Sequence, residues 1–375
     1  MLSYWEKIQL TNYDHIVVGG GIVGLSTAAS IIEKYPEASV AVLERGILPT
    51  GASTKNAGFA CFGSLTELLN DIKTIGKEGT LDLVKQRWNG LQLLQQRLGK
   101  EALEYEGNGG YELISEQEEP ALEALEEVNE LLYPLFGQEV FSMCDEQIAS
   151  FGFAKDTVKH MVYNPFEGQI NTGKMMDALW LYVQQKGVRI ITGSEVINIE
   201  EGTDKVAVTI QNTLSQEPIV FTAEQVAICT NAFSKKLLPT LDLYPGRGQV
   251  LVTKPIASLP FKGVFHMDEG YYYFRNHGNR IIFGGGRNLD IQGETTTQME
   301  NTSLIMGVLQ EKLKQVILPD QEFEIEHQWA GVMAFGENKQ PVCQRISDRQ
   351  VIGLRLGGMG VAIGSGLGEQ LASIL

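Results

Sequence analysis

Residues 17–30, VVGGGIVGLSTAAS, carry glycines at 19, 21 and 24, a G-x-G-x-x-G spacing. The apolar run His15-Ile16-Val17-Val18 precedes them and Leu25-Ser26-Thr27-Ala28-Ala29 follows, so the glycines fall between an expected strand and an expected helix. In that order each glycine has its own role. Gly19 permits a tight turn, Gly21 lets a backbone approach a pyrophosphate, and Gly24 lets helix lie close to strand. The free N–H groups of the first helical turn, with Ile22 and Val23, then face the phosphates. A second apolar run, Ser39 to Leu43, ends at Glu44, 20 residues beyond Gly24. A carboxylate at that spacing can accept both hydroxyls of an adenosine ribose and repels a 2′-phosphate. These residues read as a dinucleotide site and leave NAD and FAD both open.

The end of the chain bears on that choice. Val351 to Leu356 reads as a strand, Gly357-Gly358-Met359-Gly360 as a turn, and Gly366 to Leu375 as a helix. A second glycine-rich strand-to-helix element brings another helix N-terminus, with its partial positive charge, to an electron-rich ring. A reduced isoalloxazine, negative near N1 and O2, uses such a charge; a nicotinamide has no evident need of it. The ending favours FAD.

The elements that position these residues are spread over 375 residues, long enough that two domains are expected. The 46 acidic residues against 30 basic ones give a net charge of −16, which argues against nucleic acid or an anionic membrane as a partner. The cysteines (61, 144, 229 and 343) form no C-x-x-C pair, and the five histidines no H-x-x-x-H, so neither a disulfide frame nor a metal centre is expected. No basic start with an apolar stretch opens the chain, and no window reaches the 18 apolar residues of a membrane span. A soluble, cytoplasmic protein is the expectation. Helical periodicity covers 65–98 in two pieces and 298–317; Thr172 is the expected cap of a helix with Met175, Met176, Leu179, Trp180 and Val183 on its buried side. Strand patterns cover 109–115, 205–214, 223–233 and most of 244–290.

In sequence order, these motifs resemble the FAD-dependent amine and amino acid oxidoreductases of the D-amino acid oxidase superfamily. DHIVVGGGIVGLSTA followed by VLERG, with Glu44 and Arg45, is similar to the family's FAD fingerprint. GASTKNAG resembles its loop beside pyrophosphate and isoalloxazine, which points to Ser53, Thr54, Asn56, Ala57 and Gly58. By the same likeness Val196 meets the adenine, Thr230 and Asn231 occupy an Ala-Thr-Gly-Ala-type turn, and Gly331 lies in a W-A-G stretch. LGGMGVAIGSGLGEQLA, with Gly358, Met359, Gly360, Val361 and Ala362, resembles the closing flavin motif. The resemblance implies an α/β fold of two interleaved domains: a Rossmann-like FAD-binding domain over 1–80, 155–235 and 325–375, and a mixed-sheet α+β substrate domain over 81–154 and 236–324. It also implies oxidation of a C–N bond in a small amine or amino acid by hydride transfer to flavin N5, the imine then hydrolysing in water, with O2 or a quinone-like carrier as electron acceptor.

Several positions depart from the pattern. Met333 stands where the family's carboxylate-anchoring arginine is expected, which leaves Arg287, Arg275 or Arg355 as replacements. Ile282 stands where sarcosine oxidases carry a lysine, and Cys343 is too far from the W-A-G stretch for covalent attachment, so FAD is expected to be non-covalent. Tyr272 and Tyr273 are candidates for the substrate side of the ring, with His266 a weaker one. Two other readings stand beside amine oxidation: a 2-hydroxy acid dehydrogenase, which needs a base near N5, and a non-catalytic FAD-binding redox partner.

Overall fold

The computed structural model describes residues 2–212 and 217–375. Two large sheets organise them, and each collects strands from distant parts of the chain. The first has the order Val342–Arg345, Gln350–Leu354, Ile219–Ile228, Asn12–Val18, Val40–Leu43, Arg189–Ile191, with an antiparallel extension formed by Val206–Ile210 and Val196–Glu201. Its central strands are parallel, Val17 standing beside Val42 on one side and Ala227 on the other. Parallel strands are covered on both faces, so they read as unbroken apolar runs such as VAVL, in which every residue is buried.

The helices are α1 (Tyr4–Gln9), α2 (Ile22–Lys34), α3 (Leu65–Leu98), α4 (Leu125–Phe136), α5 (Glu146–Phe151), α6 (Thr172–Gln185), α7 (Ser303–Lys312) and α8 (Gly360–Ile374). α3 is the expected pair of helices joined across a kink at Gly76, whose φ is +76°. Asn171, not Thr172, caps α6, its side chain accepting from the Lys174 N–H. α8 begins at Gly360, six residues ahead of its expected start. Gly360, expected in the turn, is already helical, and Gly364, Gly366 and Gly368 are where α8 touches its neighbours. A Cβ on Gly368 would lie 2.6 Å from Ser26 of α2, and one on Gly90 of α3 would lie 2.0 Å from the Ala362 carbonyl oxygen.

The second sheet runs Ile325–Phe335, Tyr244–Thr253, Arg280–Gly285, Tyr272–His277, Val264–Met267, Gly110–Ile114, His160–Asn164, Ser142–Met143. Its outer face buries a phenylalanine-rich core, with Phe265 and Phe274 stacked at 4.5 Å. Strand pairing and helix packing sort the chain differently from the expected segments at three places. His160–Asn164 and Ile325–Phe335 belong to this sheet, the latter because it pairs with Tyr244–Thr253 along its whole length. The second half of α3 lies with the first sheet, since Leu83, Leu91 and Leu94 are buried against α2 and α8. The strand expected over 205–214 is seen as Val206–Ile210; Thr213 and Leu214 lie outside the described residues.

Candidate active site

Between the sheets lies a cavity of about 560 Å³, onto which the N-termini of α2 and α8 both open. At its nucleotide end the fingerprint glycines do what their spacing requires. Gly19 has φ +108°, and a Cβ on Gly24 would sit 1.9 Å from the Gly19 carbonyl oxygen, so only glycine lets the helix start against the strand. The Ile22 N–H donates to Ser53 Oγ at 2.9 Å, which ties the GASTKNAG loop to the start of α2. Glu44 is buried at the end of its strand; its carboxylate accepts from the Gly20 and Gly46 N–H groups, each at 2.8 Å. Asn56 holds the loop from within, accepting from the Gly58 N–H and the Thr172 hydroxyl and donating to the Ser53 carbonyl, all at 2.9 Å.

Of the residues expected around FAD, Gly19, Gly21, Ile22, Val23, Glu44, Arg45, Ser53, Asn56, Ala57, Val196, Thr230, Asn231, Gly331, Gly358, Met359, Gly360, Val361 and Ala362 line this cavity. Three do not. Gly24 serves the strand–helix contact, and Thr54 donates to the Pro49 carbonyl at 2.8 Å. Gly58, with φ +79°, lies where a Cβ would be 2.3 Å from the Ile170 carbonyl oxygen. All three shape the wall from behind.

The other end of the cavity is made of side chains. Tyr273 lines it, and burial raises its hydroxyl to a pKa of about 12. Tyr272 points the other way: strand side chains alternate, so it packs into the phenylalanine core and Tyr271 joins the cavity instead. Arg287 lines the cavity with its guanidinium 4.1 Å over the Phe335 ring, and its buried Nη1 has no hydrogen-bond partner among the described residues. The other arginines are engaged. Arg275 directs its donors at the carbonyls of Ala57, Ile170 and Asn276, and Arg355 pairs with Asp242 at 3.1 Å. Met333 lines the wall beside Gly358. Cys343 does not reach the cavity, whereas Cys61 and Cys229 do.

His266, a minor candidate by sequence, proves to be the centre of a buried polar cluster. Its strand neighbours are Tyr273 and Glu112, its Nε2 is 2.9 Å from Glu167 Oε2, and its Nδ1 is 3.7 Å from Glu67 Oε2. Burial opposes its charge, but the Glu167 carboxylate and hydrogen bond, with Glu67 and Glu112, raise its pKa to about 9. Burial likewise raises Glu112 to about 7, against hydrogen bonds from Thr66 and Ser64 that favour its ionised form. Sequence reasoning missed Glu67 and Phe59, whose ring stands edge-on to both His266 and Tyr273. Ser64-x-x-Glu67 is legible only as a helix-capping box.

The residues present fit FAD: two helix N-termini, a wall where a Cβ has no room, and a ribose-type carboxylate converge on one elongated cavity. Residues 14–374 match the family described as FAD dependent oxidoreductase, DAO. The Haemophilus influenzae protein OrdL is 21% identical over 369 residues, covering 95% of this chain and 81% of its own length. The mitochondrial L-2-hydroxyglutarate dehydrogenase of Bos taurus is 24% identical over 278 residues, 69% of this chain and 56% of its own. Among solved structures, glycine oxidase from Geobacillus kaustophilus superposes with a TM-score of 0.78 at 18% identity, covering 97% of this chain and 94% of that one. No helix among the described residues is long and apolar enough to cross a membrane. The chain belongs to the FAD-dependent oxidoreductases of the DAO family and is an FAD enzyme.

Proposed function

We propose that this enzyme oxidises the C–N bond of a small amino acid or a carboxylated amine. The observation that carries the reading is Arg287. A guanidinium nitrogen buried without a partner is costly to leave unmade, and a carboxylate completes it with charge-assisted hydrogen bonds. Stacking on Phe335 fixes the plane of the group, so a carboxylate meets a preset fork. Arg287 takes over the anchoring that Met333 cannot perform. FAD, when bound, supplies the hydride acceptor, with the partial positive charge of the α8 N-terminus beside it.

The protein's own residues orient the substrate and keep water from the reacting carbon. Tyr273, Phe59 and Met333 form an apolar wall on that side, and the Tyr273 hydroxyl stays protonated and able to donate. The imine product hydrolyses in water once released. FAD is held non-covalently: acid precipitation should release it into the supernatant. Either O2 or a quinone-like carrier serves as electron acceptor, and oxygen-uptake measurements distinguish them.

One observation favours 2-hydroxy acid oxidation: a histidine, His266, reaches the cavity. Against it, both ring nitrogens face carboxylates, so the imidazole is held as a cation and offers no free base. The deciding experiment is anaerobic addition of amines, amino acids and 2-hydroxy acids to the yellow holoenzyme. Bleaching by amino compounds supports the reading, and bleaching by hydroxy acids alone overturns it.

A further inference from the structure

We propose that Glu67 receives the cationic nitrogen of the ligand, with His266 and Glu167 holding its carboxylate in place; the assignment rests on the amino-compound reading above. Glu67 occupies the first turn of α3 and lines the cavity with its side chain 13% exposed. Its Oε2 is engaged, accepting the Ser64 N–H at 3.0 Å and facing His266 Nδ1. Its Oε1 makes no hydrogen bond among the described residues, and the carboxyl group abuts Gly270, where a Cβ would come within 2.5 Å.

The groups behind it explain why the carboxylate stays put. His266 donates to Glu167, which is 1% exposed and also accepts from the Phe62 N–H. Ser64 joins the layers, its N–H bonded to Glu67 and its hydroxyl to Glu112 at 2.7 Å. The positive groups here are His266, Arg87 and Lys339; Arg87 is turned toward the Phe62 carbonyl and Asp71, and Lys339 pairs with Asp71 at 2.6 Å. Two carboxylates, those of Glu67 and Glu167, thus share one imidazole. The excess negative charge lies at one place on the cavity wall, and the unpaired nitrogen of Arg287 at another. Such a pair of opposite sites takes a ligand bearing both an anionic and a cationic group, and discriminates against a hydroxy acid, which lacks the cation.

The test uses the FAD-loaded protein and its Glu67→Gln variant, which keeps the capping geometry because glutamine serves equally at that helix position. Perturbation of the flavin absorbance is titrated with n-butylammonium and, separately, with butyrate. The expected result is that the variant binds n-butylammonium about tenfold or more weakly while butyrate binding is retained, the size expected for losing a charged acceptor. Equal weakening of both ligands, or no weakening of either, overturns the assignment. The two proposals fail separately. If only hydroxy acids bleach the flavin while ammonium binding still depends on Glu67, the reaction reading falls alone. If amino compounds bleach it and the variant binds ammonium as tightly as the parent, the Glu67 assignment falls alone.

Discussion

The two ends of the cavity are built by different means. At the nucleotide end the cavity is lined largely by backbone: turn amides, helix N-termini, and surfaces where a Cβ has no room. Much of it comes from residues 19–58, with α8 returning from the far end of the chain. At the substrate end the groups are side chains, each delivered by a separate element: Arg287 after one strand, Tyr273 and His266 from two more, Met333 from a fourth, Glu67 from a helix. Backbone binding demands special conformations, and these leave glycines at fixed spacing. Side-chain binding demands only that some residue of the right charge arrive, and many positions can deliver one.

The sharpest way to break the first end alone is Gly24→Ala. Its methyl group meets the Gly19 carbonyl oxygen at 1.9 Å, and strand and helix must part to admit it. We expect a loss of about 3 kcal/mol or more, beyond ordinary overpacking, with FAD lost on purification. Gly307→Ala in α7 is the control, since nothing lies within 4 Å of a Cβ there and the residue does not line the cavity. Flavin content and melting temperature of the two variants check this; equal retention of FAD would refute it.

Arg287→Ala should break the other end and spare the first. Loss of a charge-assisted pair costs about 1.5–3 kcal/mol, or roughly 10- to 100-fold in KM for a carboxylated substrate, with flavin content unchanged. Steady-state kinetics on an amino acid and on its decarboxylated amine isolate the effect. If both lose equally, Arg287 does not hold a carboxylate.

A third comparison uses pH, because the buried cluster at the substrate end titrates. Glu112, raised from 4.5 to about 7 by burial, favours the folded state while protonated; its contribution is complete below about 4.5 and disappears as pH climbs through about 7. His266 opposes burial with the charges of Glu167, Glu67 and Glu112, and is raised from 6.5 to about 9. Its contribution is complete below about 6.5 and is lost as pH passes about 9. The melting temperature should therefore fall between pH 5 and pH 9, and Glu112→Gln should flatten the lower part of that fall. An unchanged profile in the variant would show that the slope arises elsewhere.

The smallest effects separate neighbouring tyrosines. Tyr272 stands in the apolar core and Tyr273 on the cavity wall. Tyr272→Phe should leave substrate KM within about twofold and stability within about 0.5 kcal/mol, whereas Tyr273→Phe should alter KM or kcat several-fold. Rate measurements on both variants decide which tyrosine faces the substrate.

The fold class and the cofactor were legible in the order of the motifs, and most of the residues expected around FAD line one cavity, because apolar period and glycine spacing are local consequences of backbone geometry. The misreadings have physical causes too. The helix was expected only from Gly366, with Gly360 left in the turn, whereas α8 starts at Gly360, because a glycine admits both a positive φ and a helical conformation with close approach. Asn171 and Thr172 are both capping types in succession, and only the position of the helix axis selects between them.

By itself, then, the sequence determined that this chain is an FAD enzyme with strand–glycine–helix elements near residues 19–24 and 357–360, and that a glutamate ends the strand that follows the first of them. Tertiary structure decided which arginine remains unpaired, which of two adjacent tyrosines faces the cavity, and that a lone histidine and three glutamates meet in one buried cluster. The reason is range. A turn or a cap is settled by residues a few positions apart, whereas the partner of a charged side chain is settled by tertiary packing: here strand pairing sets His266 beside Glu112, while a helix brings Glu67 and an inter-strand residue Glu167 to the same ring.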